Sequence, residues 1–321
     1  MTRWSESKLV IANQISTDFG EALRGHPAKP EVIDCLNAER PWLIPEQADV
    51  LVTIPYASWA TEEARIAGHD LPRLKWIQLF STGIERMPAW LLRDRLVGCG
   101  RGQTSPQIAE FVLATMLMRE KRLDQIRARS LKDWVKTPIG TLEGKAIGIL
   151  GFGSIGEEIA RRARAFDMNI FACRRGEWTS TPEGVEPLPD PAAVLAVSDH
   201  AVVALPLTQA TRGSLDIRVL GRAKPGLHLI NISRGAIIVQ EDLKTLLDEG
   251  TIGFASLDVT DPEPLPASHP FWKDDQVFLT PHVSFMGGDP FGRFLEKTMS
   301  NLTAFVMGAP MQDLVDVERG Y

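Results

Sequence analysis

Three glycines raise the first chemical question. Gly151, Gly153 and Gly156 stand in "GKAIGILGFGSIGEEIARRARAF", directly after an apolar run and at the start of a stretch without helix breakers. Between a strand and a helix, such glycines have separate tasks. The first makes the turn, the second admits a pyrophosphate against the backbone, and the third lets helix approach strand. N–H groups at the helix start then face the phosphates. The spacing predicts a dinucleotide site built from Gly151, Gly153, Ser154, Ile155 and Gly156.

A carboxylate is expected about 20 residues further on, to hold the ribose of NAD. The stretch "NIFACRRGEW", Asn169 to Trp178, offers Arg174 and Arg175 instead, with no acid before Glu177. A guanidinium binds a phosphate in bidentate fashion. A carboxylate there would repel it by up to about 4 kcal/mol at 4 Å and an effective dielectric near 20. The arginine pair therefore predicts NADP(H), its 2'-phosphate on Arg174 and Arg175, with Thr179 and Ser180 as further hydroxyl donors. NAD(H) remains the alternative, in which the two arginines are solvated loop charges.

The elements that must position such a site form two series of short β-rich runs alternating with helical patterns, which is the signature of parallel βαβ sheets. The first series is "KLVIAN", "ADVLVTI", "KWIQLF" and "LVGCG", starting at Lys8, Ala48, Lys75 and Leu96. The second is "KAIGIL", "NIFACR", "HAVVAL", "LHLINIS", "GFASLDV" and "QVFLT", starting at Lys145, Asn169, His200, Leu227, Gly253 and Gln276. Six is the strand count of a complete dinucleotide-binding sheet. Between the series, "SPQIAEFVLATMLMREKRLDQI" repeats Ile108, Phe111, Val112, Thr115, Met116 and Leu123 at helical spacing after a Ser105-Pro106 start. It predicts a long helix joining two domains. "PFGRFLEKTMSNLTAFVMG", from Pro290, is amphipathic again and is expected to pack back on the first domain. The expected fold is α/β, with two Rossmann-like domains. Residues 1–103 with 286–321 form a smaller flavodoxin-like substrate domain, and residues 104–285 form a six-stranded parallel NADP-binding domain.

Bulk properties agree with two domains. The 321 residues exceed what a single core usually supports, and 44% apolar with 24% charged residues is ordinary for a soluble protein. A net charge of −6 gives no diffuse attraction to nucleic acid or anionic lipid, so neither is an expected partner. Cys35, Cys99 and Cys173 are far apart and suggest neither a metal site nor a disulfide framework. The start has no signal-peptide pattern, and a cytoplasmic location is expected.

From about Lys75 onward an ordered set of motifs resembles the D-isomer-specific 2-hydroxyacid dehydrogenases, in their glyoxylate/hydroxypyruvate reductase-like branch. These motifs are "LKWIQLFSTGIE", "SPQIAEFVL", "GFGSIG", "LPLTQATRG", "INISRGAIIVQEDL", "SLDVTDPEPLP", "TPHVS" and the closing "NLTAFVMGAPMQDLVDVERGY". The first 70 residues share only the βα pattern. The resemblance implies a catalytic trio. Arg234 would hold the carboxylate of a 2-oxo acid, His282 would exchange a proton with the carbonyl oxygen, and Glu263 would support His282. Ketone reduction develops negative charge on oxygen. A histidine of ordinary pKa, about 6.5, is mostly neutral at pH 7 unless a carboxylate stabilises its cation. The resemblance also implies substrate contacts from backbone N–H groups of Thr82 and Gly83. Cofactor contacts are implied from Thr104, Leu205, Pro206 and Ser233, with Ser105 beside Thr104, and Asp258 is read as a cofactor-binding residue near the nicotinamide or as a structural one.

His26, His69, His200, His228 and His269 are read as ordinary polar residues. Thr260 stands where the family usually has an aromatic, and Phe285 and Met286 follow His282 where smaller residues are usual. Tyr56 and Trp59 stand where they could reach a substrate side chain or serve only packing or dimer contacts. The expected activity is an NADP(H)-dependent reductase of small 2-oxo acids, glyoxylate or hydroxypyruvate first, working as a homodimer through the cofactor domain. The rival readings are the same chemistry with NAD and a dinucleotide-sensing, corepressor-like scaffold.

Overall fold

A computed structural model describes residues 8–68 and 70–320. They divide into two compact units, Met1–Gln103 with Gly288–Tyr321, and Thr104–Gly287.

In the first unit, β1 (Val10–Asn13), β2 (Glu31–Asp34), β3 (Val50–Thr53), β4 (Trp76–Leu79) and β5 (Leu96–Gly98) pair in parallel in the order β2-β1-β3-β4-β5. This is the flavodoxin-like order. β1, β3 and β4 are buried at every position, as strands covered on both faces must be. One face carries a core around Leu51, Trp59 and Ile77. The other carries Phe19, Leu23, Trp76 and the helix Pro290–Met307, whose Phe294 and Leu302 are fully buried. Phe294 meets Phe19 at 5.5 Å and Phe80 at 5.3 Å between ring centroids. Each such side chain contributes about 1.5–3 kcal/mol by leaving water.

In the second unit, β6 (Ala146–Leu150), β7 (Asn169–Cys173), β8 (Val185–Pro187), β9 (His200–Val203), β10 (Leu227–Asn231), β11 (Ile252–Leu257) and β12 (Val277–Leu279) form one parallel sheet. Its order is β12-β11-β10-β9-β6-β7-β8. The sheet has seven strands where six were expected. The additional one, β8, is a three-residue edge strand that buries only Val185 and ends in proline, too short to leave a periodic signal. β2 of the first unit escaped in the same way, with one buried residue in four.

The strand order reverses between β6 and β9, the crevice where open α/β sheets bind ligands. The helix Ser105–Lys121 has Pro106 in its first turn and buries Ile108, Val112, Thr115 and Met116. It stops at Arg122, which is left-handed at φ 50°, so Leu123 lies beyond the helix and is exposed rather than on its apolar face.

Candidate active site

The glycine loop follows β6. Gly151 has φ 97°, and a Cβ there would lie 2.7 Å from the Ala204 carbonyl oxygen, so the turn passes directly against the end of β9. A Cβ on Gly156 would sit 3.2 Å from the Gly151 carbonyl oxygen, which is the close helix–strand approach that spacing implied. Gly153 differs: a Cβ there would meet nothing within 4 Å. It caps the helix Ser154–Arg164 without any side-chain hydrogen bond to the first N–H groups. Open space before an uncapped helix N-terminus at the switch crevice fits a dinucleotide pyrophosphate.

Ser105, next to the helix-capping Thr104, donates its hydroxyl to the Ser154 hydroxyl at 3.2 Å, which brings the start of its helix to this loop. Ser233, after β10, donates its hydroxyl to the Leu205 carbonyl, joining the segments that follow β9 and β10. Pro206 beside it is exposed. Arg174 and Arg175 are exposed immediately after β7, with Thr179 and Ser180 exposed on the same loop.

Arg234, Glu263 and His282 follow β10, β11 and β12, three neighbouring strands, and so share one carboxyl edge. His282 Nδ1 and Glu263 Oε1 are 2.8 Å apart, both side chains about one-third exposed. With Nδ1 donating to Glu263, Nε2 is the ring atom placed to exchange a proton with a substrate oxygen. His282 is held at φ 54°, a left-handed conformation that costs a bulky residue about 1–3 kcal/mol unless its surroundings impose it. They do. The His282 N–H donates to the Asp258 carbonyl at 2.9 Å, while the buried Asp258 carboxylate accepts from Thr280 Oγ1 and from the N–H groups of Val283 and Ser284 at 2.7, 2.8 and 3.0 Å. Asp258, expected near the nicotinamide or in a structural role, has its carboxylate committed to the histidine loop. Phe285 closes that loop edge-on to His282 at 5.9 Å, and Met286 is exposed.

Arg234 donates through Nη1 to the Ser233 carbonyl at 2.8 Å. The next residue is glycine for a steric reason: a Cβ on Gly235 would fall 2.0 Å from the Thr260 carbonyl carbon. The arginine loop therefore lies directly on the segment that leads to Glu263. Thr82 and Gly83 follow β4 in the first unit, where the Ser81 hydroxyl donates to the Gly83 carbonyl at 2.7 Å.

The family model for the NAD-binding domain of D-isomer-specific 2-hydroxyacid dehydrogenases matches residues 113–284. The chain belongs to the D-isomer-specific 2-hydroxyacid dehydrogenases. As a member of this oxidoreductase family it carries a nicotinamide-dinucleotide-binding domain. It is 30% identical to glyoxylate/hydroxypyruvate reductase A of Serratia proteamaculans over 73% of this chain and 74% of that one. A shorter match, 37% identical, covers 56% of this chain and 59% of an uncharacterised Corynebacterium melassecola protein. Among solved structures, the NADPH-dependent glyoxylate/hydroxypyruvate reductase of Sinorhizobium meliloti, in complex with NADP and sulfate, superposes with a TM-score of 0.81. It is 25% identical, over 98% of this dehydrogenase and 100% of that chain.

Of the two aromatics left open by the sequence, Trp59 of the dehydrogenase is fully buried in the first core and is structural, while the half-buried Tyr56 donates its hydroxyl to the Gln14 carbonyl. Of the remaining histidines, His26 bonds Thr303, His269 caps a short turn at Phe271, and His200 and His228 form a buried pair; His69 lies outside the described residues. Among the described residues no helix is long and apolar enough to cross a membrane.

Two supports were not visible in the sequence. The Gln240 amide holds the backbone of one residue twice, donating to the Asp261 carbonyl at 2.6 Å and accepting from the Asp261 N–H at 3.1 Å, two residues before Glu263. Gln107 donates to the Gly287 carbonyl at 2.9 Å and ties the end of the His282 loop to the helix Ser105–Lys121. Their partners are backbone groups of distant loops, and no spacing rule announces such a pair.

Proposed function

We propose that this dehydrogenase is an NADP(H)-dependent reductase of small 2-oxo acids, with glyoxylate or hydroxypyruvate as first substrates. The observation that carries the reading is the 2.8 Å His282–Glu263 pair on the sheet edge that also bears Arg234 and the glycine loop. A reduced nicotinamide supplies hydride to the substrate carbonyl carbon. Arg234 holds the substrate carboxylate in its planar donor fork. His282 gives the proton on Nε2 to the carbonyl oxygen, and Glu263 stabilises the imidazolium that must hold that proton beforehand. In oxidation the same atoms run in reverse.

Gly151, Gly153, Ser154, Ile155 and Gly156 take the pyrophosphate. Arg174 and Arg175 take the 2'-phosphate, and Thr104, Leu205, Pro206 and Ser233 border the dinucleotide. The NADP complex of the Sinorhizobium reductase supports this cofactor choice. The working form is a homodimer through the second unit, where Leu131 and Trp134 are 91% and 82% exposed. The deciding assay is oxidation of NADPH and of NADH with glyoxylate, hydroxypyruvate and bulkier 2-oxo acids. Turnover with NADPH and the small acids is expected. Turnover confined to NADH would reverse the cofactor assignment, and tight dinucleotide binding without turnover of any 2-oxo acid would favour a sensing scaffold.

A further inference from the structure

We propose that Trp178 is a specificity-determining residue whose indole is the platform that holds the Arg174 guanidinium in place for the 2'-phosphate of NADP(H). This inference rests on the reading of Arg174 given above. Arg174 leaves β7 at the exposed end of the strand, and a freely moving arginine must give up rotamer freedom each time it binds a phosphate. Here Arg174 Cζ lies over the Trp178 ring, 5.6 Å from its centroid. The chain reverses through Gly176 at φ 80°, a conformation suited to glycine, and this returns residue 178 to the side chain of residue 174.

The platform is itself anchored. Trp178 is half-buried and its ring packs at 5.1 Å on that of Phe152, which is buried within the glycine loop between Gly151 and Gly153. A chain of three side chains thus runs from the pyrophosphate turn to the arginine. A guanidinium lying over a ring keeps its N–H donors at its own rim, directed away from the ring and available to an anion. NADH, lacking the 2'-phosphate, gains nothing from this arrangement, so the indole acts on the choice between cofactors and not on dinucleotide binding in general.

The test is a titration of NADPH and NADH, followed by nucleotide fluorescence, into the wild type, Trp178→Leu, Trp178→Phe, Arg174→Leu and the Arg174→Leu/Trp178→Leu double variant. Leucine keeps apolar contact with Phe152 but removes the π face. Trp178→Leu should weaken NADPH binding about two- to fivefold, as expected for a surface cation–π pair, with NADH unchanged; phenylalanine should restore part of the loss. In the Arg174→Leu background, Trp178→Leu should leave the NADPH/NADH ratio where Arg174→Leu put it, because the indole acts through the arginine. Equal losses for both cofactors, or a ratio effect that persists without Arg174, would overturn the platform. NADH binding also reports whether each variant is folded. If Arg174→Leu itself leaves the ratio unchanged, the 2'-phosphate reading of Arg174 falls and the platform with it. If Arg174→Leu collapses the ratio while Trp178→Leu leaves it intact, only the platform is refuted.

Discussion

In the function proposed above, Glu263 and His282 act as one pair. The carboxylate accepts from Nδ1, and the loop bonds of Asp258 fix the ring's approach, so the charge on residue 263 can be changed with little disturbance of geometry. Glu263→Gln keeps an oxygen for the Nδ1–H but removes the negative charge beside the ring. In the proposed reduction His282 gives a proton to the carbonyl oxygen, so losing the carboxylate that supports the ring should lower reductive kcat by about tenfold or more, with NADPH binding unaltered. His282→Gln should lose most activity. A Glu263→Gln enzyme with wild-type turnover would remove Glu263 from the mechanism. At this scale the sequence was informative, because the motifs around Arg234, Glu263 and His282 each follow a strand. It was silent about Gln240, whose amide serves another loop's peptide, and about Trp59, since an aromatic in a loop reads alike whether buried or exposed.

The elements bring their own titrating groups. His200 opens β9 and His228 is the second residue of β10; their Nδ1 atoms are 3.0 Å apart, and His228 Nε2 meets Ser256 Oγ at 2.9 Å. Beside them Glu120, in the last turn of the helix Ser105–Lys121, pairs with Lys145 at 2.7 Å. Burial pushes its carboxyl up, but His200 and Lys145 outweigh that and hold it at about 2. His200 Nε2 is 3.3 Å from the same carboxylate but too poorly directed for a hydrogen bond. His228 is fully buried, and burial, with the positive charges of His200 and Arg119, holds it well below its ordinary 6.5.

The sign of the stability change follows. Below pH 6.5 the unfolded chain protonates this histidine while the folded chain does not, so stability is full above that pH and falls on acidification by about 1.4 kcal/mol per pH unit. Glu120 acts in a separate window, between its ordinary 4.5 and about 2, where its contribution is lost as pH falls. Urea unfolding between pH 8 and 5 should therefore show a shallower loss for His228→Gln than for the wild type, even though the variant starts less stable. Parallel curves would remove His228 from the linkage. Strand by strand, the apolar runs revealed the sheets because both faces are covered. β2 and β8 were missed because each lies at an edge and buries a single residue.

At the scale of the whole molecule, the segment between the helix Ser105–Lys121 and β6 stands exposed. It carries Leu131, Trp134 and Val135 at 91%, 82% and 69% exposure, with Ile126 and Ile139 also exposed. A local turn fixes its tip, where Asp133 accepts from the Arg129 N–H at 2.9 Å and from the Ser130 hydroxyl at 3.0 Å. Large apolar side chains exposed together mark an interaction surface, and burying each is worth about 1.5–3 kcal/mol. In the homodimer proposed above, a second copy of the chain would cover both segments at once, because a two-fold axis gives each subunit the same contact that it offers. Light scattering on the wild type, with and without NADPH, should return twice the chain mass. Leu131→Lys/Trp134→Lys places two like charges in each copy's contact and should shift the mass toward a single chain. NADPH affinity should be retained, since the glycine loop and Arg174 lie on other segments of the second unit. A wild type that is monomeric at the concentrations used for assay, or a double variant that remains dimeric, would mean that this segment does not hold the subunits together.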